Sequence, residues 1–244
     1  MKLKKYFIVL LFCGSLAIPA AAQIQSETPL HLMNYDYIRR WRFGFSIGGN
    51  VFDYAISNSN KVVLPFGDAV PTSMWAEVVD VAPGFNINGI INYRLSRYFD
   101  LRTLPGICFG TRNLNFYRAD GSLERSMELE SNYVEIPVLL KYSALRSSNY
   151  RPYLVGGFNT RFNMNWKTRE QKGTYISTAI CEPFYELGFG LDMYFYYFKL
   201  SFEFKYSGGF THSLGSNTVE GFDYYRDVID RLNSQIFIFS IHIE

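Results

Sequence analysis

Two alternating runs between Pro183 and Tyr206 restrict the fold of this chain more than any other feature. Tyr185, Leu187, Phe189, Leu191 and Met193 interleave with Glu186, Gly188, Gly190 and Asp192. After Phe195-Tyr196-Tyr197, a second run sets Phe198, Leu200, Phe202, Phe204 and Tyr206 against Lys199, Ser201, Glu203 and Lys205. Successive side chains on a strand point to opposite faces, so each run has one apolar face and one face of charge or glycine. At helical spacing the same residues would scatter charge around the whole cylinder, so both runs are strands. A soluble sandwich would bury the apolar faces, and a membrane barrel would turn them to lipid. This pair alone permits both.

Six further runs repeat the pattern, at Phe43 to Val51, Phe85 to Leu95, Phe99 to Phe109, Val134 to Tyr142, Pro152 to Trp166 and Phe237 to Ile243. Connections between the eight alternate in length. Long ones (Asp53 to Asp80, Asn113 to Ser131, Lys167 to Glu182, Ser207 to Ser234) follow every odd strand, while Ser96-Arg97, Arg146 to Asn149 and Phe195 to Tyr197 are short or moderate. A secreted sandwich has no reason to sort loops by parity, whereas outer-membrane barrels have even strand numbers with loops on one side and turns on the other. Lipid satisfies no free backbone groups, so such a sheet must close. The expected fold is therefore all-β, an eight-stranded antiparallel transmembrane β-barrel with short periplasmic turns, long extracellular loops and both termini periplasmic. Pro105, Pro137 and Pro152 each remove a ladder donor, and bulges or strand ends are expected there. Tyr225, Val228, Ile229 and Leu232 have helical spacing and predict a short amphipathic helix in the last long connection.

The first residues set the compartment. Lys2, Lys4 and Lys5, the apolar stretch Tyr6 to Leu16 and Ala20-Ala21-Ala22 read as a signal peptide over residues 1–22. Phe12 before Cys13 makes a poor lipoprotein site. Residues 23–41 are then a periplasmic lead-in and 42–244 the barrel. The mature chain keeps Cys108 and Cys181, and whether they bridge depends on their separation in space. A net charge of +2 gives no large attraction to nucleic acid.

The inward set of a small barrel includes Arg94, Asp100, Arg102, Glu135, Lys141, Arg161, Glu186, Asp192, Lys199, Glu203 and Lys205. An eight-strand barrel is roughly filled by its side chains, and buried unpaired charge is costly, so these should form a structural network of pairs, the alternative being a proton path or ligand pocket. Gly44, Gly48, Gly106, Gly156, Gly157, Gly188 and Gly190 fit strand curvature or close packing. No G-x-S-x-G, H-E-x-x-H, Walker A or paired C-x-x-C occurs. His212-Ser213 is the nearest pair to a catalytic one, and adjacency alone is no triad. No catalytic, cofactor-binding or metal residue is assigned, no cofactor is expected and no small-molecule substrate is evident.

Several ordered segments carry a family resemblance: Arg42 to Asn50 (RFGFSIGGN), Ala82 to Asn86 (APGFN), Arg151 to Gly157 (RPYLVGG), Phe184 to Asp192 (FYELGFGLD) and Ile229 to Leu232 (IDRL). In this the chain resembles the PorT family, called SprT in gliding bacteria, a small outer-membrane β-barrel associated with type IX secretion in Bacteroidota. The resemblance implies a non-enzymatic part in exporting proteins with a C-terminal sorting domain, beside other components of that machinery and outer-membrane lipid. It brings no site residue with it. Glu244 departs from the aromatic last residue of many such barrels. The alternative is a generic small barrel serving adhesion or envelope stability.

Overall fold

The computed structural model describes residues 39–59, 62–63, 72–165, 175–218 and 224–244. The leader, the lead-in before residue 39 and Trp166 lie outside them. In chain order the elements are β1 (Trp41–Asn58), β2 (Val62–Val63), β3 (Thr72–Val81), β4 (Pro83–Arg94), β5 (Phe99–Thr103), β6 (Gly106–Phe109), β7 (Thr111–Arg118) and β8 (Leu123–Glu130). There follow β9 (Tyr133–Ser143), β10 (Tyr150–Asn163), β11 (Ile176–Thr178), β12 (Cys181–Tyr194), β13 (Lys199–Gly209), β14 (Leu214–Thr218), a single-turn helix α1 (Tyr224–Asp227) and β15 (Ile229–Ile243).

The eight expected strands are β1, β4, β5 continued by β6, β9, β10, β12, β13 and β15, each antiparallel to its neighbours. Because β1 pairs with both β15 and β4, the sheet closes. Paired residues lead once around the wall from Val51 through Phe237, Tyr206, Leu187, Gly156, Leu140, Leu101 and Tyr93 to Trp41, a stagger of ten residues along β1. Stagger of this kind is what tilts strands to about 35–45° in a closed barrel. The three short connections and the residues Trp41 and Glu244 lie at one end, and the four long connections at the other.

The faces answer the question the opening pair left open. Phe43 is 67% exposed, Phe158 68% and Phe189 60%, whereas Arg102, Arg161 and Glu186 are fully buried. An apolar belt on the outside and charge on the inside is the reverse of a soluble protein, and it fits a hydrocarbon solvent. Rings collect at both edges of the belt. Trp41 packs on Tyr93 at 4.7 Å near the short turns, and Tyr185 on Phe210 at 5.2 Å near the long loops.

Of the three prolines only Pro105 interrupts a strand. Leu104 and Pro105 separate β5 from β6, with the Gly89 N–H donating to the Pro105 carbonyl at 2.9 Å, and the register resumes unshifted. Pro137 and Pro152 stand within β9 and β10, opposite Asn159 and Leu191, with no bulge. On the other side Pro137 faces the gap between β5 and β6 and Pro152 lies just past the end of the β9 ladder, so the expected ends occur on one neighbour only. In an antiparallel pair only alternate residues donate to a given neighbour, so each proline removes one bond and leaves the flanking pairs intact.

Among the described residues, the long connections carry strands of their own. β2, β3, β7 and β8 form a four-stranded sheet and β11 pairs with β14. Together with the upper ends of β1 and β15 they build a cap around Met74, Leu114, Phe116, Met127, Tyr225 and Leu232, all buried. The expected helix shrinks to α1, since Ile229 already pairs with Asn58 as strand. Tyr225, Val228, Ile229 and Leu232 are nevertheless all buried, so their spacing marked the cap core rather than a helix face. At the cap's outer turn, Asp120 accepts from the Ser122 amide at 2.9 Å and its hydroxyl at 2.6 Å, and both hold its carboxyl below the ordinary range. Leu114→Ala should weaken the cap by about 2 kcal/mol and leave the barrel closed. Amide exchange in β7 and β8 is then about thirtyfold faster, with exchange in β12 and β13 unchanged.

Candidate functional site

Inward positions are set by strand parity, so the lumen can be followed in layers from the short-turn end. At its mouth Arg42 Nη2 donates to Asp100 Oδ2 at 2.7 Å, with Arg94 Nε 3.6 Å from Asp100 Oδ1. Lys141 Nζ bonds both Asp192 oxygens, at 2.8 and 2.6 Å, and Ser201 Oγ donates to Oδ1 at 2.6 Å. Arg102 reaches three strands, donating to Asn92 at 2.9 Å, Glu203 at 2.7 Å and Glu244 at 3.2 Å. Glu244 also pairs with Lys199. The Tyr153 hydroxyl donates to Glu203 at 2.9 Å, and its ring carries Lys141 Nζ at 3.6 Å. A Cβ on Gly190 would meet that ring and the Phe202 carbonyl, which is why glycine faces inward there.

The next layer turns on Arg161. Its Nε donates to Glu135 at 3.0 Å, Nη2 to Glu186 at 2.9 Å and Nη1 to the Ser207 hydroxyl at 2.8 Å. The Asn159 amide spans the same two carboxylates, at 3.0 and 2.7 Å. Lys205 lies 3.2 Å from Glu186 and 3.7 Å from Glu203, which joins this layer to the one below. Beside it Ile90, Leu104 and Leu139 make a small apolar patch.

Above Arg161, whose guanidinium lies 4.4 Å from the Phe184 ring, the lumen becomes apolar: Phe52, Cys108, Tyr133, Phe184, Ile236 and Ile238 form a plug. Asn50 donates to the Cys108 sulfur at 3.1 Å, and Cys108 and the exposed Cys181 are both free. Between plug and cap the buried Arg112 stacks over Tyr54 at 3.9 Å and Phe52 at 4.7 Å, and donates to Ser234 at 2.7 Å.

All eleven expected inward charges are thus in the lumen or at its mouth. Ten belong to carboxylate–cation pairs within the lumen, and Arg94 approaches Asp100 from the mouth. Arg42 and Glu244 were missed, although parity could have found them: Arg42 is in phase with Ser46 and Asn50, Glu244 with Ser240 and His242. Nothing in the sequence marks Arg112, which falls between the third run and the long connection that follows it, and lies on β7. The His212–Ser213 pair is divided: His212 Nδ1 accepts the Leu232 amide at 2.9 Å, and the buried Ser213 hydroxyl donates to Glu182 at 2.7 Å.

Such an interior lines the barrel with side chains in which Asp100, Glu135, Glu186, Asp192, Glu203 and Glu244 each meet a cation. Its chemistry is cohesion across strands: Arg102 on β5 reaches Glu203 on β13, a strand that is not its hydrogen-bonded neighbour, and Arg161 on β10 ties together β9, β12 and, through Ser207, β13. Over residues 21–215 the chain matches the family described as "Outer membrane protein beta-barrel domain". Among solved structures it is similar to the outer membrane protein OprG from Pseudomonas aeruginosa, at 10% sequence identity and a TM-score of 0.45, covering 82% of this chain and 93% of that one. No curated protein sequence matches it.

Proposed function

We propose, from the premise that this chain belongs to the outer membrane protein beta-barrel domain family, that it is a non-enzymatic structural or assembly component required for type IX protein secretion. In this reading the short-turn end and both termini face the periplasm, the cap faces outward, and other components of the secretion machinery are its partners. The ordered segments RFGFSIGGN, RPYLVGG and FYELGFGLD support the family assignment. The observation that favours scaffolding over transport is the lumen itself, occupied from the Asp100 level to the Phe184 plug by paired charges and apolar side chains.

Deletion of the gene tests the proposal. Cargo with a C-terminal sorting domain should then remain in the periplasm while the outer membrane stays intact, and normal secretion would end the reading. The folded cap favours a second reading, a small barrel whose exposed end serves adhesion or envelope stability. That reading expects normal secretion with altered surface binding or detergent sensitivity in the same strain.

A further inference from the structure

Exposed acidic side chains, among the described residues, are confined to one end of the barrel. At the short-turn end Arg39, Arg40 and Arg97 are exposed, while Asp100, Asp192 and the Glu244 carboxylate are buried in lumen pairs. Among the described residues, therefore, that rim shows exposed cations and no exposed Asp or Glu side chain. The exposed acids Glu77, Asp120, Glu128, Asp227 and Asp230 are all at the cap end, where they mix with the exposed cations Arg226 and Arg231. A partner that complements the Arg40 and Arg97 side chains is accordingly anionic.

Its position identifies the anion. The Arg40 carbonyl accepts the Arg94 amide at 2.8 Å, which ties the entry of β1 to the β4–β5 turn and puts Arg40 and Arg97 in one sector of the wall. In that sector Trp41 is 55% exposed, and Leu95, two residues before Arg97 in the same turn, is 54% exposed. Both are continuous with the apolar belt. The turn spans only Leu95 to Tyr98, and a headgroup layer is about 5–8 Å deep on each side of the hydrocarbon. So short a turn stays within that layer, at the depth of lipid phosphates, where guanidinium forks match phosphate oxygens.

We propose that Arg40 and Arg97, beside Trp41, form a docking surface for the phosphate of anionic phospholipid headgroups. The test uses the full chain refolded in phosphatidylcholine vesicles with a minority of phosphatidylglycerol, with Trp75→Phe and Trp166→Phe leaving Trp41 as reporter. Bromine is carried on the acyl chains of one lipid or the other at equal mole fraction. Brominated phosphatidylglycerol should quench Trp41 about fivefold more per mole than brominated phosphatidylcholine, with the excess lost in Arg40→Gln/Arg97→Gln and reduced by salt. Equal quenching by the two lipids overturns the proposal and leaves an acidic protein as the occupant. An excess that survives both substitutions overturns it as well. Should the double variant fail to fold, an excess insensitive to salt with both arginines present does the same.

Discussion

Replacing Arg161 with methionine destabilises the barrel by about 3–5 kcal/mol, the cost of leaving buried carboxylates without their cation. Glu135 and Glu186 both bind this guanidinium, at 3.0 and 2.9 Å, and Lys205 compensates only the second, at 3.2 Å. Equilibrium unfolding in urea, followed by tryptophan emission with the protein in vesicles, measures the loss. A triple change, Arg161→Met with Glu135→Gln and Glu186→Gln, recovers most of it, because neutral amides remove the charge that methionine strands. A lumen that is water-filled rather than cohesive would show a loss near that of a surface pair, at most about 1 kcal/mol.

Phe202→Arg acts on the opposite face and costs about 2–4 kcal/mol near the bilayer midplane. Phe202 is paired between Leu191 and Ile241 and stacks on Phe239 at 6.4 Å, midway between the two aromatic edges of the belt. The same urea titration reads the effect. At an exposed site in water it would lie within about 0.5 kcal/mol, so the size of the change reports the solvent.

Which residues entered the lumen was legible because a strand fixes direction by parity, and the charged runs around Glu186 and Glu203 kept strict phase. Which partners they took was not. Arg102 on β5 meets Glu203 on β13 across the lumen, a pairing set by the ten-residue stagger, and no local pattern encodes that stagger. Pro137 and Pro152 marked ladder ends on one neighbour each, and which neighbour that is depends on where alternate ladder bonds fall. The cap was hidden by short strands. Leu114-Asn115-Phe116 and Met127-Glu128-Leu129 do alternate, yet each presents two apolar side chains amid polar neighbours, and only their meeting with Met74 and Tyr225 makes a core. Gly190 illustrates the same limit: close packing could be expected, but not that Tyr153 fills the space.

Ser201 and Phe202 test the inversion of the wall most directly. Ser201 is fully buried and bonded to Asp192 at 2.6 Å, and the next side chain along β13 points the other way. Ser201→Cys and Phe202→Cys are each labelled with the same fluorophore, and the folded barrel in vesicles is exposed to a quencher confined to the acyl chains. Quenching at Phe202 and none at Ser201 is the predicted result. Equal quenching at the two positions would contradict the lipid-facing assignment of the apolar face, and with it the membrane barrel.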